Sequence, residues 1–141
     1  MKKFAIIGAV FAMLAVALGA FGAHALKEQL GSSRSVWETA VQYQMFHALA
    51  LLVIAILLHL FRDSFFSIAA WLMVIGTLFF SGSLYTLSLI KITAIGIVTP
   101  IGGVFFILAW LFVILGIFRI RTSRFNYLKN FRRQHFENIN Q

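Results

Sequence analysis

The sequence has no cysteine, one proline and four acidic residues, and only 11% of its 141 residues are charged. Without cysteine there is no disulfide framework and no C-x-x-C-H haem attachment site. A single proline does not fit Pro-rich disorder or a collagen-like repeat. Soluble domains carry about 25% charged residues, so the shortage of charge excludes a water-soluble globule. The chain is instead 61% hydrophobic, with 16 Phe and a mean hydropathy of +0.92. That composition describes one integral membrane domain.

The formal charge of +8 would point to nucleic acid in a soluble protein, so its location decides the reading. Six of the twelve basic residues, Arg119, Arg121, Arg124, Lys129, Arg132 and Arg133, follow one another where the last apolar stretch stops. The charge is therefore first a juxtamembrane tail.

A hydrocarbon core of about 30 Å takes about 20 residues of helix at about 1.5 Å per residue. Four stretches meet that length, giving spans at about 4–24, 43–61, 65–90 and 99–120, with a basic tail at 121–141. Between them the second holds only His47 and His59 as ionisable groups, and the third holds none. Lipid offers the backbone no hydrogen-bond partner, and the alternation of a lumen-facing strand is missing, so all four are predicted helices. The expected fold is an all-α, four-transmembrane-helix bundle with a short interfacial helix before the second span.

Cytoplasmic loops collect Lys and Arg. With the N-terminus inside, nine basic residues are cytoplasmic (Lys2, Lys3, Arg62 and the six of the tail) against Lys27, Arg34 and Lys91 outside. A multi-pass protein of the bacterial inner membrane with both termini cytoplasmic is the expectation. The start also imitates a signal peptide, with Lys2-Lys3, an apolar run and Ala23-His24-Ala25. Its run of about 20 residues exceeds the 7–15 of a signal core, so retention is expected.

The first span carries Ala5, Gly8, Ala12, Ala15, Gly19 and Gly22, spaced alternately by three and four. Such spacing keeps small side chains on one face, where another backbone can approach closely. A seven-residue interval recurs at Ala69, Gly76 and Ser83 and at Gly102, Ala109 and Gly116, with Gly103 adjoining. These seams predict a compact bundle, with one seam open to self-association. Gly and Ala are also simply common in membrane helices, which is the plainer reading of any one triplet.

After the break at Gly31-Ser32-Ser33, Ser35-Val36-Trp37-Glu38 fits a capping box, with Glu38 a cap rather than an acid or base. Trp37 suits the headgroup level. Residues 91–99 are too apolar for an ordinary loop and are expected at the outer interface, with Thr99 capping a helix that starts at Pro100. A continuous helix kinked at Pro100 is the alternative.

In this topology the uncommon polar residues converge on the outer leaflet: His24 ends the first span, Tyr43, Gln44 and His47 open the second, Ser81, Ser83 and Tyr85 lie in the third, and Thr99 opens the fourth. They predict a polar outer-leaflet pocket. Ionisable groups within membranes are rare and face a bundle interior, which singles out His47. For each histidine alone, a structural hydrogen bond to Tyr, Ser or a carbonyl outweighs ligation or proton transfer. Together they suit a haem or a quinone headgroup. There is, however, no metal-ligand spacing, no second carboxylate for a proton relay, and no G-x-S-x-G or Walker A pattern. No metal, cofactor or enzymatic activity is expected. His59, beside Arg62-Asp63, is expected to snorkel to the inner interface. Ser81 and Ser83 also read as small packing residues whose hydroxyls bond back to their own helix.

In the tail, Phe125, Tyr127, Leu128 and Phe131 alternate with Arg121, Arg124, Lys129, Arg132 and Arg133 as in an amphipathic surface helix. Each cation near anionic lipid contributes about 1 kcal/mol, so the expected partner is the bilayer's anionic headgroups and not nucleic acid.

The stretches Leu18-Gly19-Ala20-Phe21-Gly22-Ala23-His24, Tyr43-Gln44-Met45-Phe46-His47, Phe80-Ser81-Gly82-Ser83-Leu84-Tyr85 and Thr99-Pro100-Ile101-Gly102-Gly103 resemble the YgdD-type family of small bacterial inner-membrane proteins, over about residues 1–120. That resemblance implies a four-helix inner-membrane protein of a family of unknown function, and supplies no reaction or ligand. The tail after Arg121 departs from the family pattern.

Two readings of function follow. The first is a non-enzymatic membrane protein acting through helix association, as an accessory subunit of a larger membrane complex or as a homo-oligomer. The second is a small permease or a lipid- or quinone-binding protein using the outer pocket. A third, a redox or proton-transfer component, needs a cofactor for which the sequence carries no site. For the topology, a reporter fused after Gln141 is expected to signal from the cytoplasm; an external signal overturns it.

Overall fold

The computed structural model describes the backbone of residues 2–139 and the side chains of residues 2–120 other than Thr93. Its elements are α1 (Lys2–Ala23), α2 (Lys27–Leu30), a 3-10 turn (Gly31–Ser33), α3 (Arg34–Phe61), α4 (Ser64–Ile90), a second 3-10 turn (Thr93–Ile97) and α5 (Val98–Ile139). Four helical stretches are long and apolar enough to cross a membrane: Lys2–Ala23, Lys27–Phe61, Ser64–Ile90 and Ala94–Ile120. The chain is an all-α membrane protein. The tail residues Arg121, Arg124, Lys129, Arg132 and Arg133 lie within α5, with side chains outside the described residues.

Chain neighbours are also space neighbours: α1 packs along α3, α3 along α4 and α4 along α5. Side chains add two diagonals. Phe4 of α1 meets Trp71 of α4 edge to face at 5.3 Å, and His47 of α3 stacks on Phe106 of α5. The core threads all four long helices, from Phe4 through Leu51 and Ile54 to Phe66, Met73, Phe106 and Ala109.

All three small-residue seams are used inside the chain. Gly8 faces the Ala48 carbonyl and Leu52, Gly19 faces Val41, and a Cβ on Gly22 would collide with the indole of Trp37. Gly76 is covered by Phe106, Gly116 by Phe66, and Gly102 lies against the backbone of Phe80. Lipid is as apolar as Leu, so burial alone drives no helix association there; close contact does, and glycine permits it.

The joints depart from the sequence expectation. The helix expected after the Gly31-Ser32-Ser33 break does run on into the second span, as α3 from Arg34 to Phe61, but its capping differs. The backbone is already helical at Ser35, so no capping box forms. Glu38 pairs instead with Arg34 at 2.9 Å, and the Ser35 carbonyl accepts from Thr39. Thr99 likewise does not cap: α5 starts at Val98, and the Thr99 hydroxyl is 2.7 Å from that of Ser83. Pro100 still falls in the first turn, where a missing N–H costs no helical bond. Residues 93–97 form a 3-10 turn packed on α4 and α5, rather than a kinked continuation of α5.

The hairpin between α3 and α4 takes two residues. Arg62 closes α3 in the left-handed conformation (φ 51°), and Asp63 caps α4 by accepting the Phe65 N–H at 2.8 Å. Asp63 also meets Arg119 of α5 at 3.4 Å, and the Arg119 guanidinium lies 5.2 Å over the Phe65 ring. At the opposite end Lys91 closes α4, again left-handed (φ 59°). The two ends of the bundle are called the Arg62 end and the Lys91 end below.

Glycine substitutions separate these environments. Gly102→Ala drives a methyl into the Phe80 backbone and is expected to destabilise by about 1–3 kcal/mol. Gly82→Ala, where no atom lies within 4 Å of the added Cβ, is expected to change stability by less than about 0.5 kcal/mol. Thermal unfolding in detergent compares the two; equal effects would contradict the packing described.

Candidate functional site

Polar side chains within the spans define the site, because hydrocarbon satisfies none of them. Their spacing along the helices sets which can meet. Gln44, His47 and Tyr43 lie about one turn apart on α3, and Tyr85 sits where antiparallel α4 passes Gln44.

Gln44 is buried and bridges three helices. Its amide Nε2 donates to the Phe11 carbonyl of α1 at 2.9 Å, and its Oε1 accepts from the Tyr85 hydroxyl of α4 at 2.9 Å. Trp37 is enclosed within the bundle, only 3% exposed. The slot opened by Gly22 admits the indole, whose Nε1 donates to the Leu18 carbonyl at 2.9 Å, and the ring meets Tyr85 at 4.6 Å. Gln44, Tyr85 and Trp37 thus bolt α1, α3 and α4 together near the Lys91 end.

His47 and Tyr43 face the other way, into the valley between α3 and α5. The His47 Nδ1–H donates to the Tyr43 carbonyl at 2.8 Å, since a carbonyl only accepts. The imidazole stacks on Phe106 at 3.4 Å and meets the edge of Trp110 at 6.4 Å. Tyr43 stacks on Phe80 at 4.4 Å. The bond from Nδ1 leaves Nε2 as an acceptor. No protein atom among the described residues bonds to Nε2, and it is not sealed off, the residue being 8% exposed.

The hydroxyls fall into a third group. Ser83 bonds the Phe80 carbonyl at 2.9 Å as well as meeting Thr99, so it ties α4 to α5. Thr77, Thr86 and Ser88 bond back to their own helix. Ser81 does not: its Oγ is the buried side-chain polar atom without a partner among the described residues. His24 stands apart, exposed beyond the end of α1, with no side-chain bond to the others among the described residues. A single pocket holding all eight predicted residues therefore does not form. The set divides into a bolt, a ring-lined valley and a hydroxyl pair, because the residues sit on different faces of their helices. Sequence reasoning missed Phe80, Phe106 and Trp110 as the valley's rings; Phe106 and Trp110, four apart on α5, carried the only signal.

Several grooves indent the described surface. One of about 250 Å³ is lined by Gly19, Gly22, Trp37, Glu38, Val41 and Gln42; one of about 290 Å³ lies between α4 and α5 beside Gly82 and Ser83. A third, of about 230 Å³, is lined by Lys2, Ala5, Ala55, Ile56 and His59 at the Arg62 end. No group of three or more His, Asp or Glu among the described residues is arranged to hold a metal ion.

A family model described as "Protein of unknown function (DUF423)" matches residues 18–103, a span that takes in all four motif stretches quoted from the sequence. A UPF0382 membrane protein of Staphylococcus saprophyticus is 50% identical over 121 residues, covering 85% of this chain and 100% of the relative. The UPF0382 membrane protein YwdK of Bacillus subtilis is 48% identical over 117 residues, covering 82% of this chain and 95% of the relative. No solved structure matches. The resemblance to a small membrane family of unknown function is thereby met.

The bolt is open to measurement. Tyr85→Phe leaves the Gln44 carbonyl without its donor, and combined with Gln44→Ala in a double-mutant cycle should give a coupling of about 0.6–1.7 kcal/mol, the range of interhelical hydrogen bonds in membranes. Additive effects on unfolding in detergent would dissolve the proposed bond.

Proposed function

The chain belongs to the DUF423 family, and we propose that it works as a non-enzymatic integral membrane protein that associates with a second membrane helix, from an accessory partner or another copy of itself, in the valley between α3 and α5. The observation that carries this reading is the unpaired Nε2 of His47. At about 1.5 Å per residue, His47 lies about 13 Å along α3 from the charged Glu38, within reach of hydrocarbon rather than water. Acyl chains supply no hydrogen-bond donor, and a polar group left without one in an apolar medium costs free energy. A neighbouring helix presenting a hydroxyl, amide or indole N–H satisfies it.

The surroundings favour a helix over a small molecule. Phe106 lies face to face on the imidazole and fills the valley floor, while Tyr43, Phe46 and Trp110 stand exposed beside it. Small-molecule sites are concave, whereas at His47 the stacked Phe106 ring already occupies the face of the imidazole. The small-residue seams, by contrast, are occupied within the chain, so association does not use them. In this reading both termini are cytoplasmic, and the tail's Arg121, Arg124, Lys129, Arg132 and Arg133 rest on anionic lipid.

The absence of native cysteine makes the test clean. Phe46→Cys and Trp110→Cys, beside the valley, are expected to give a covalent product with a bifunctional cross-linker in membranes, whereas Met13→Cys on α1 is not. A product of twice the chain mass identifies a second copy, and any other mass an accessory subunit. Adding His47→Phe is expected to lower the yield. A lone monomer from all three positions would defeat the proposal.

A further inference from the structure

The groove at the Arg62 end has no part in the valley or the bolt, and its lining is almost wholly apolar. Ala5, Ala55 and Ile56 make a trough, completed by carbon atoms of the exposed Lys2 and His59. The register of α1 on α3 explains why it opens there. Gly8 faces Leu52, Gly19 faces Val41 and Gly22 faces Trp37, so the helices run antiparallel and their residues pair off in step. Carried one turn beyond Gly8, that register sets Ala5 opposite Ala55. Two methyl side chains fail to fill the space that Leu52 fills at Gly8, and one turn further Lys2 arrives beside His59.

Among the described residues, positive charge at this end exceeds negative. Of the described carboxylates, only Asp63 lies here, and it is held by Arg119 and by the α4 backbone. Lys3 is turned onto the rings of Trp71 and Phe4, at 4.7 and 5.1 Å. Lys2 has no carboxylate partner among the described residues. An exposed ammonium and an imidazole, which donates a hydrogen bond in either protonation state, therefore sit at a membrane-water boundary above an apolar trough.

We propose that this groove binds one anionic phospholipid, its acyl chain lying against Ala5, Ala55 and Ile56 and its phosphate held by Lys2 and His59. The site differs in kind from the tail, which is a run of basic residues in the sequence: the groove sets an apolar trough beside Lys2 and His59. Charge complementarity selects the occupant, because a zwitterionic headgroup brings its own cation to a place already cationic.

The test uses the full chain, purified in detergent, with native mass spectrometry to count bound lipid after titration with phosphatidylglycerol or phosphatidylcholine. One retained phosphatidylglycerol, and no comparable phosphatidylcholine adduct, is expected. Lys2→Ala and His59→Ala should each weaken retention, by about fivefold for the lysine, the factor that corresponds to one cation's contribution near anionic lipid. Ile56→Trp, at an exposed position, should block the trough without touching the core, while Lys27→Ala at the opposite end should change nothing. Helicity by circular dichroism confirms that each variant is folded. Equal binding of the two lipids, or undiminished phosphatidylglycerol binding in Lys2→Ala, His59→Ala and Ile56→Trp, would refute the site.

Discussion

In hydrocarbon a polar atom has only the protein to bond to, and this requirement organises the molecule. Helices satisfy the backbone, but each side-chain amide, hydroxyl or imidazole must find its own partner. Gln44 finds two, on α1 and α4; Tyr85 finds Gln44; Trp37 reaches a carbonyl of α1. Each bond joins helices that lipid would otherwise leave indifferent to one another. Many of the polar residues that look like a ligand site in the sequence join the helices of the bundle, and among the described residues that joinery is incomplete at His47 Nε2 and Ser81 Oγ.

Close approach is the second half of the same constraint. Since Leu gains little by leaving lipid for another Leu, helices are held by dispersion over surfaces that match. Glycines in α1, α4 and α5 receive Leu52, Trp37, Phe106 and Phe66, and Gly102 admits backbone itself. Large rings sit opposite missing side chains. The Trp37 slot joins the two themes, since Gly22 makes the room and the indole N–H then meets the carbonyl it finds there.

The spans and seams could be read from the sequence because they are periodic and repeated: long uncharged runs, and small residues at alternating intervals of three and four. The joints could not. Ser35-x-x-Glu38 is a valid capping signature, but capping depends on where the backbone turns helical, and the turn at Gly31–Ser33 delivers it already helical at Arg34. Thr99 preceding proline has the form of a cap, yet Ser83 lies across the helix gap as a better partner. Trp37 has the chemistry of a headgroup anchor, and only the void at Gly22 on another helix turns it inward. His24 and His47 are both assigned to the outer leaflet in the sequence, but His24 lies exposed in the turn beyond α1, whereas His47 on α3 stacks on Phe106. Such outcomes are pairwise, and a single sequence does not state its pairs.

The order of packing, α1 on α3, α3 on α4 and α4 on α5, bears on biogenesis. A chain leaving the ribosome releases its spans one at a time, and here each long helix finds the one made before it already in the bilayer. Contacts that skip a helix, such as Phe4 with Trp71 and His47 with Phe106, are added when the later span arrives. Loop entropy is spent in small portions, on connections as short as the two residues at Arg62 and Asp63. The order of packing therefore suits a bundle built up span by span as the chain enters the bilayer.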